Sequence, residues 1–170
     1  TCALPISRRY VVGQFSSLGT NLVIVLPGRS GTGGFNPANA ITTTPRDLTV
    51  DDAAALRRAS AVSRLAPLTV GTSEISFGGR LREIIVAGST SDFIPIRNFE
   101  LAQGRGLPEE DWNRGSSVAV IGSKIREELF GNESAVGQLI RVGDRRLRIV
   151  GVLKPVGQGL GMNTDELVIV

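Results

Sequence analysis

The side chains that most often carry chemistry are scarce in this 170-residue chain. It contains no histidine, and its single cysteine, Cys2, stands in an apolar N-terminal stretch. Without histidine, Ser-His-Asp and Cys-His catalysis and the commonest transition-metal ligand are excluded. One cysteine can form neither an internal disulfide nor a thiolate pair for a structural metal. We therefore predict no catalytic residue and no metal site.

Two carboxylate clusters invite an acid–base or metal-site interpretation. Glu109-Glu110-Asp111 follows Pro108, and Asp51-Asp52 follows Thr49. Each cluster stands where a helix is predicted to begin, and carboxylates in a first turn complement the positive end of the helix dipole. We interpret both clusters as helix-start residues rather than as a chemical site.

Two glycine-rich segments invite a phosphate-binding interpretation. The segment Gly28–Gly34 lacks the Gly-Lys-Ser/Thr ending whose lysine reaches the phosphates, and no predicted helix follows it. The segment Val120–Ser123 joins a strand to a helix, but a dinucleotide site needs three spaced glycines and only Gly122 is present. We predict no cofactor, and we expect no ATPase within this chain.

Charge and aromatic residues argue against nucleic acid and indicate a protein partner. The net charge is +3. The arginines of Arg145–Arg148 alternate with Leu147 and Ile149, which is the pattern of a strand with one solvent-exposed face. The aromatic residues form no stacking platform. Phe35, with Asn36 and Pro37, lies in a long Gly/Thr-rich loop, 28–46, that also contains Arg29. We predict Arg29, Phe35, Asn36 and Pro37 as partner contacts; the alternative is that Phe35 packs against its own domain.

The elements that would position these residues begin with a helix. Val11, Phe15 and Leu18 recur at i, i+4 and i+7, which predicts one apolar stripe on a helix over Ile6–Leu18. Asn21–Leu26 is a continuous β-branched and apolar run, which predicts a buried strand. The run is too short to span a membrane, which takes about 20 apolar residues.

The rest of the chain alternates short helices with hairpins. Thr49 is predicted to cap a helix whose inner face is Leu56, Ala59 and Val62. The last strand, Leu167–Val170, is expected to return to the sheet of the first half. The remaining predicted elements are the hairpin Ser63–Phe77 with Arg80–Ala87, a short helix in Ser91–Phe99, a helical turn at Pro108–Trp112, the strand Ser117–Ile121, the helix Ser123–Phe130, and the hairpin Gln138–Val142 with Arg146–Leu153.

Short apolar sequence motifs follow one another along the chain in a fixed order. They are Leu18–Val25, Leu48–Asp52, Val86–Ser89, Gly104–Leu107, Val118–Gly122, Leu129–Gly131, Val136–Ile140 and Ile149–Leu153. Together, over roughly residues 10 to 170, they resemble the extracytoplasmic core domain of MacB-type ABC transporter permeases.

The resemblance implies an α+β fold of two small α/β lobes. Residues 1–18 would be a stalk helix leading from a membrane helix, with Val11, Phe15 and Leu18 transmitting movement. Residues 19–99 and 157–170 would form a porter-like β-α-β lobe, and residues 100–156 an inserted, Sabre-like lobe.

The resemblance also implies a location and partners. The domain would lie on the periplasmic or extracellular side of the bacterial inner membrane, as part of a multi-pass protein. Its partners would be a cytoplasmic ABC ATPase, acting through the membrane part, a second permease protomer, and a periplasmic adaptor or other extracytoplasmic protein. ATP hydrolysis would drive its movements and so export, efflux or action on a partner.

Two other functions stay open at this stage. One is a stand-alone extracytoplasmic domain that binds a small ligand or peptide in a cleft between the lobes. The other is an α/β enzyme, against which the missing histidine and the lack of any complete motif argue.

Overall fold

The computed structural model describes residues 22–25, 48–109, 112, 114–156, 158–159 and 162–170. Within these ranges short helices alternate with strands and hairpins. The elements are α1 (Val50–Arg57), β1 (Thr69–Phe77), β2 (Arg80–Gly88), α2 (Phe93–Ile96), β3 (Leu101–Gly104), β4 (Val118–Ile121), α3 (Ser123–Phe130), β5 (Leu139–Val142), β6 (Arg145–Leu153), β7 (Gln158–Gly159), β8 (Met162–Asn163), a 3₁₀ turn (Thr164–Glu166) and β9 (Leu167–Ile169).

Seven of the strands form one mixed sheet in the order β3-β6-β4-β9-β2-β1-β5. An additional pairing of β5 with β6 closes six of them into a ring, and β3 pairs with the C-terminal half of β6. β9 is parallel to β2 and antiparallel to β4. β7 and β8 form a separate two-stranded sheet. The α+β class predicted from the sequence is confirmed.

The sheet packs apolar side chains on both of its faces. On one face, Ile125, Leu129 and Phe130 of α3 join a buried cluster with residues such as Ile75, and the ring of Phe130 lies 4.3 Å from that of Phe77. On the other face, Phe93 and Ile94 of α2 join a second buried cluster. Because strand side chains alternate between faces, strands such as β4 and β9 contribute to both clusters: Ile121 and Val168 belong to the first, and Val120 and Ile169 belong to the second.

Several local predictions are confirmed. Thr49 caps α1 through a capping box with Asp52. The hairpin β1–β2 turns at Gly78 and Gly79, which both have positive φ, and the hairpin β5–β6 turns at Gly143. α3 has the predicted bounds, and β9 returns to β2.

The predicted buried strand Asn21–Leu26 is wrong in this structure for residues 22–25. They belong to no strand, and Val23, Ile24 and Val25 are 82%, 61% and 55% exposed. A buried strand needs a neighbour for its backbone and a layer over its side chains. No strand among the described residues pairs with this run.

Two further predictions fail because packing overrides local pattern. The inner face assigned to α1 is not buried: Leu56 is 44% exposed, and no residue of α1 is buried. Pro108 and Glu109 are not helical, and Glu110 and Asp111 lie outside the described residues.

The division into lobes at residue 100 stays a prediction. Strands from both proposed segments share the one sheet, and β9 hydrogen-bonds to β2 on one side and to β4 on the other. The backbone hydrogen bonds of the sheet therefore cross the proposed boundary. The proposed stalk, residues 1–18, lies outside the described residues.

Candidate functional site

The sequence-predicted site residues are not among those that the structure describes. The partner-contact candidates Arg29, Phe35, Asn36 and Pro37 all lie outside the described residues. So do the stalk candidates Val11, Phe15 and Leu18. Both sets remain predictions, and the surface of the described residues supplies a candidate of its own.

That candidate is a groove of about 510 Å³ beside the N-terminal half of β1. It is lined by β1 residues from Thr69 to Ser73 and by residues that follow β3, namely Leu107, Pro108, Trp112, Arg114, Gly115 and Ser116. Val86, Val142, Leu147 and Val170 line it as well. The lining therefore combines apolar side chains with a strand edge.

The strand edge is open because β5 covers only part of β1. β5 pairs with β1 at Ile75 and Ser76, and then Gly143 donates its N–H to the carbonyl of Glu74 at 2.8 Å. The N–H and C=O of alternate residues of a strand point to the same side. Those of Val70 and Thr72 therefore point, like those of Glu74, away from β2. No strand among the described residues forms hydrogen bonds with the N–H and C=O groups of Val70 and Thr72.

The rim of the groove carries an aromatic ring and positive charge. The guanidinium of Arg57 lies 5.4 Å from the centre of the Trp112 ring, a cation–π distance. Arg114 and Arg145 also line the groove. The hydroxyl of Thr90, another lining residue, is buried without a hydrogen-bond partner in the described part of the chain. A bound polar group that satisfied this hydroxyl would be favoured.

Away from the groove, α3 begins in close backbone contact with the 3₁₀ turn. A Cβ on Gly122 would lie 2.6 Å from the backbone oxygen of Thr164. The N–H of Gly122 donates to the carbonyl of Leu167 at 2.8 Å, and the hydroxyl of Ser123 donates to the carboxylate of Asp165 at 3.0 Å. The glycine thus permits close packing between the start of α3 and the 3₁₀ turn.

Ion pairs connect the same turn to α3 and β2. Lys124 pairs with Glu166, Arg82 pairs with Glu128, and Arg82 also approaches Glu166 at 3.2 Å. The hydrogen bond from Lys124 is the main reason that the pKa of Glu166 is lowered. These charges hold neighbouring elements together.

The remaining pKa shifts likewise have structural causes. A hydrogen bond from Lys154, at 2.6 Å, lowers the pKa of Glu100, and burial lowers the pKa of Arg97. No group of three or more potential metal ligands occurs within the described ranges. None of Glu166, Glu100 and Arg97 lines the groove.

Sequence reasoning missed the groove for an identifiable reason. Its residues come from β1, β2, β5 and β6, from the segments that follow β2 and β3, and from Val170, so only the tertiary fold brings them together. The sequence did carry one signal, because Thr69–Ser73 contains one glycine, three hydroxyl side chains and only one larger apolar residue, Val70.

No helix in the described part of the chain is both long enough and apolar enough to cross a membrane.

Comparison with known proteins identifies one family. The family described as the MacB-like periplasmic core domain matches residues 6–170. A macrolide export ATP-binding/permease protein, MacB, of Shewanella sp. strain ANA-3 is 33% identical over 166 residues, which are 95% of this chain and 24% of that protein. A pyoverdine export ATP-binding/permease protein, PvdT, of Pseudomonas aeruginosa is 28% identical over 159 residues, 91% of this chain and 22% of that protein. The chain therefore spans about a quarter of the length of these relatives.

Solved structures share the fold. The periplasmic region of MacB from Actinobacillus actinomycetemcomitans superposes with a TM-score of 0.67 and 20% identity, covering 80% of this chain and 60% of that one. The extracellular domain of the noncanonic ABC-type transporter YknZ from Gram-positive bacteria gives a TM-score of 0.61 and 23% identity, covering 72% and 62%.

Proposed function

The chain belongs to the family of MacB-like periplasmic core domains, and we propose that it is the extracytoplasmic module of an ABC transporter permease. In this proposal it lies on the outer side of the bacterial inner membrane, within a multi-pass protein. A cytoplasmic ATPase, fused or separate, drives the membrane part, and this module converts the resulting movement into export or into action on a partner protein. The observation that carries the proposal is the family match over residues 6–170.

The described residues support a mechanical and binding role. The sheet closes into a ring, and α3 is tied to β2 and to the 3₁₀ turn by ion pairs and by the close contact at Gly122. Such cross-linking favours movement of the domain as a body. The chain has no histidine, and the described residues contain no group of three or more potential metal ligands. In this proposal the ATPase activity belongs to another domain or subunit.

Movement would enter the domain through its N-terminal segment. We assign the stalk to Ile6–Leu18, with the stripe Val11, Phe15 and Leu18 as its coupling face. In the parent transporter, Val11→Asp should reduce transport while ATP hydrolysis continues, because a charge on that face weakens its packing. Val12→Asp is the matched control, since successive helical residues are about 100° apart and Val12 lies off the stripe. Equal transport rates in the two variants would contradict the assignment of Ile6–Leu18 as the stalk.

Partner contact is assigned to the loop 28–46. Phe35, flanked by Asn36 and Pro37, would act as an aromatic anchor for an adaptor or another extracytoplasmic protein, with Arg29 beside it. Shortening the loop in the parent protein should reduce partner binding and transport without preventing folding. Unchanged binding and transport would contradict this assignment.

The side of the membrane on which the domain lies can be tested by labelling an exposed residue of the described surface. Leu81 is 65% exposed, so a Leu81→Cys variant of a parent protein whose other cysteines, including Cys2, are replaced by serine presents one accessible thiol. In spheroplasts, a membrane-impermeant maleimide should label it without lysis, while a cytoplasmic control protein stays unlabelled. Labelling only after lysis would contradict the extracytoplasmic location.

The groove favours one alternative, a stand-alone domain that binds a small ligand or peptide. The two functions differ in what surrounds the domain in its parent protein. Apolar segments of about 20 residues encoded on both sides of this chain would support the permease. If no such segments flank it, the stand-alone binding domain is the better assignment.

A further inference from the structure

Two pairs of like charges lie side by side on the sheet. Glu74 of β1 stands opposite Glu83 of β2, and Arg141 of β5 stands opposite Arg146 of β6; all four are exposed. Like charges at directly opposite positions of neighbouring strands destabilise a sheet. Within the described ranges no ion pair joins Glu74, Glu83 or Arg146 to an opposite charge, and Arg141 has a contact of 3.9 Å with the exposed Asp144, which is worth little. Two unfavourable pairs that the fold retains indicate a partner that neutralises both.

The register of the strands places both pairs on the same face. Ser76 of β1 stands opposite Arg141 and follows Glu74 by two positions, and residues two apart on a strand point to the same face. On β2, Ile85 follows Glu83 by two positions and packs against the buried cluster to which α2 contributes. That cluster therefore covers the neighbouring part of the face. The uncovered part, which bears the four charged residues and Ser76, is called the charged face below.

The two pairs have a spacing that suits two-fold symmetry. Their centres are about two strand spacings apart, roughly 10 Å, and one two-residue step apart along the strands, about 7 Å. A two-fold axis perpendicular to the face and midway between the centres brings the acidic pair of each copy over the basic pair of the other. We infer that two copies of this domain associate through the charged face, with Glu74 and Glu83 of one copy against Arg141 and Arg146 of the other.

The charge pattern favours a second copy over a foreign partner. A surface of one sign would be attracted to one pair and repelled by the other, so a fitting partner must carry both signs at this spacing. A second copy carries them by symmetry, and two-fold dimers are the commonest form of self-association. Ser76 lies close to the axis between the pairs, and its small side chain lets the two sheets approach.

The contact is expected to be weak and sensitive to salt. A face of this size buries less than the roughly 1,200 Å² at which stable interfaces begin. Rising ionic strength screens exposed charges, because the Debye length falls from about 10 Å at 0.1 M to about 3 Å at 1 M. The biological setting of the inference rests on the proposed function: in a permease of two protomers, the membrane part would hold two copies at a high effective concentration.

Charge reversal tests the pairing on the isolated 170-residue chain by sedimentation equilibrium. The wild type should associate at about 0.5 mM, and less so when salt is raised from about 0.1 M to about 1 M. The variant Glu74→Arg/Glu83→Arg makes the face wholly basic, and Arg141→Glu/Arg146→Glu makes it wholly acidic. Each variant alone should associate at least about tenfold more weakly than the wild type. Mixed together, the two variants should form a heterodimer, because each neutralises the other.

A matched control changes the charge by the same amount elsewhere. Glu127→Arg/Glu133→Arg replaces two exposed glutamates on and after α3, outside the charged face, and should associate like the wild type. Three results would overturn the inference. One is a wild type that stays monomeric, which would leave the face to a different protein. The others are charge variants that associate as strongly as the wild type, and a mixture of folded variants that forms no heterodimer.

Chemical cross-linking provides a second measurement that does not depend on how well the charge variants fold. In a Cys2→Ser background, Ser76→Cys places one thiol of each copy near the axis, where packed sheets lie about 10 Å apart. A bis-maleimide of matching length should join two copies of the Ser76→Cys variant and should not join copies of a Glu127→Cys variant. Equal cross-linking at the two positions would contradict association through the charged face.

Failure of this inference and failure of the proposed function give different results. The isolated chain has no membrane part, so its association does not depend on transport. A monomeric chain whose parent protein exports a substrate would overturn the charged face alone. A dimeric chain whose parent protein has no flanking membrane segments would overturn the transporter alone.

Discussion

Replacement of Gly122 by alanine tests the packing that joins α3 to the 3₁₀ turn. Gly122 has φ −71° and ψ 160°, a conformation that alanine adopts freely, so backbone strain does not enter. The added Cβ would lie 2.6 Å from the backbone oxygen of Thr164 and closer still to that of Asp165. Ordinary contact begins near 3.4 Å. The start of α3 and the turn must therefore separate by about 1 Å.

The cost of this separation follows from two contributions. Overpacking of a buried site costs about 1–3 kcal/mol. Weakening the hydrogen bond from Gly122 to Leu167, and that from Ser123 to Asp165, costs about 1 kcal/mol more. The free energy of unfolding should fall by about 2–4 kcal/mol, which in a protein of this size lowers Tm by about 5–15 °C.

The assay is thermal unfolding followed by circular dichroism, with Gly115→Ala as the matched control. A Cβ on Gly115 would meet nothing within 4 Å, and its φ is ordinary. We expect the control to unfold within about 2 °C of the wild type. A Gly122→Ala variant as stable as the control would refute the reasoning, since the contact that we describe would then be absent.

Three further predictions concern other positions. Gly104→Ala should destabilise the domain at least as strongly as Gly122→Ala, because Gly104 has φ +75° and a Cβ there would lie 2.9 Å from the Cα of Gly151. A Gly104→Ala variant with the Tm of the wild type would contradict the close approach of β3 to β6. Ile125→Ala should cost about 2–5 kcal/mol in urea unfolding, because Ile125 is 0% exposed, and a loss below about 1 kcal/mol would contradict its burial. Lys124 lowers the pKa of Glu166 below its unfolded value, so this pair stabilises the fold fully above about pH 4.3, and its contribution disappears as the pH falls through the folded pKa. The stability advantage of the wild type over Glu166→Gln should therefore shrink in acid, and an advantage that grows there would contradict the pairing.

The sequence predicted the local elements that are stabilised by short-range chemistry. The capping box at Thr49, the glycine turns at Gly78 and Gly143, and the periodic helix Ser123–Phe130 depend on residues a few positions apart. The return of β9 to β2 was also predicted, because an apolar terminal run needs a buried place in a sheet. Each of these signals can be recognised without the tertiary fold.

The sequence did not predict the features that depend on long-range pairing. The closure of β5 onto β6 and β1, and with it the open edge at Val70 and Thr72, comes from the register of strands that are far apart in the chain. Leu56 was predicted to face a core, but it is 44% exposed, and no residue of α1 is buried. The close contact of Gly122 with the turn near Asp165 likewise depends on the tertiary fold.

The proposed movement of this domain during ATP hydrolysis can be measured in the purified parent transporter, with a spin label on Leu81→Cys in a background whose other cysteines, including Cys2, are replaced by serine. The distance between the labels of two protomers is measured by pulsed electron paramagnetic resonance, with ADP and with a non-hydrolysable ATP analogue. We expect distance distributions that differ between the two nucleotides, and a smaller difference in a Val11→Asp variant. Identical distributions in both nucleotide states, in a transporter that hydrolyses ATP, would contradict the proposed movement.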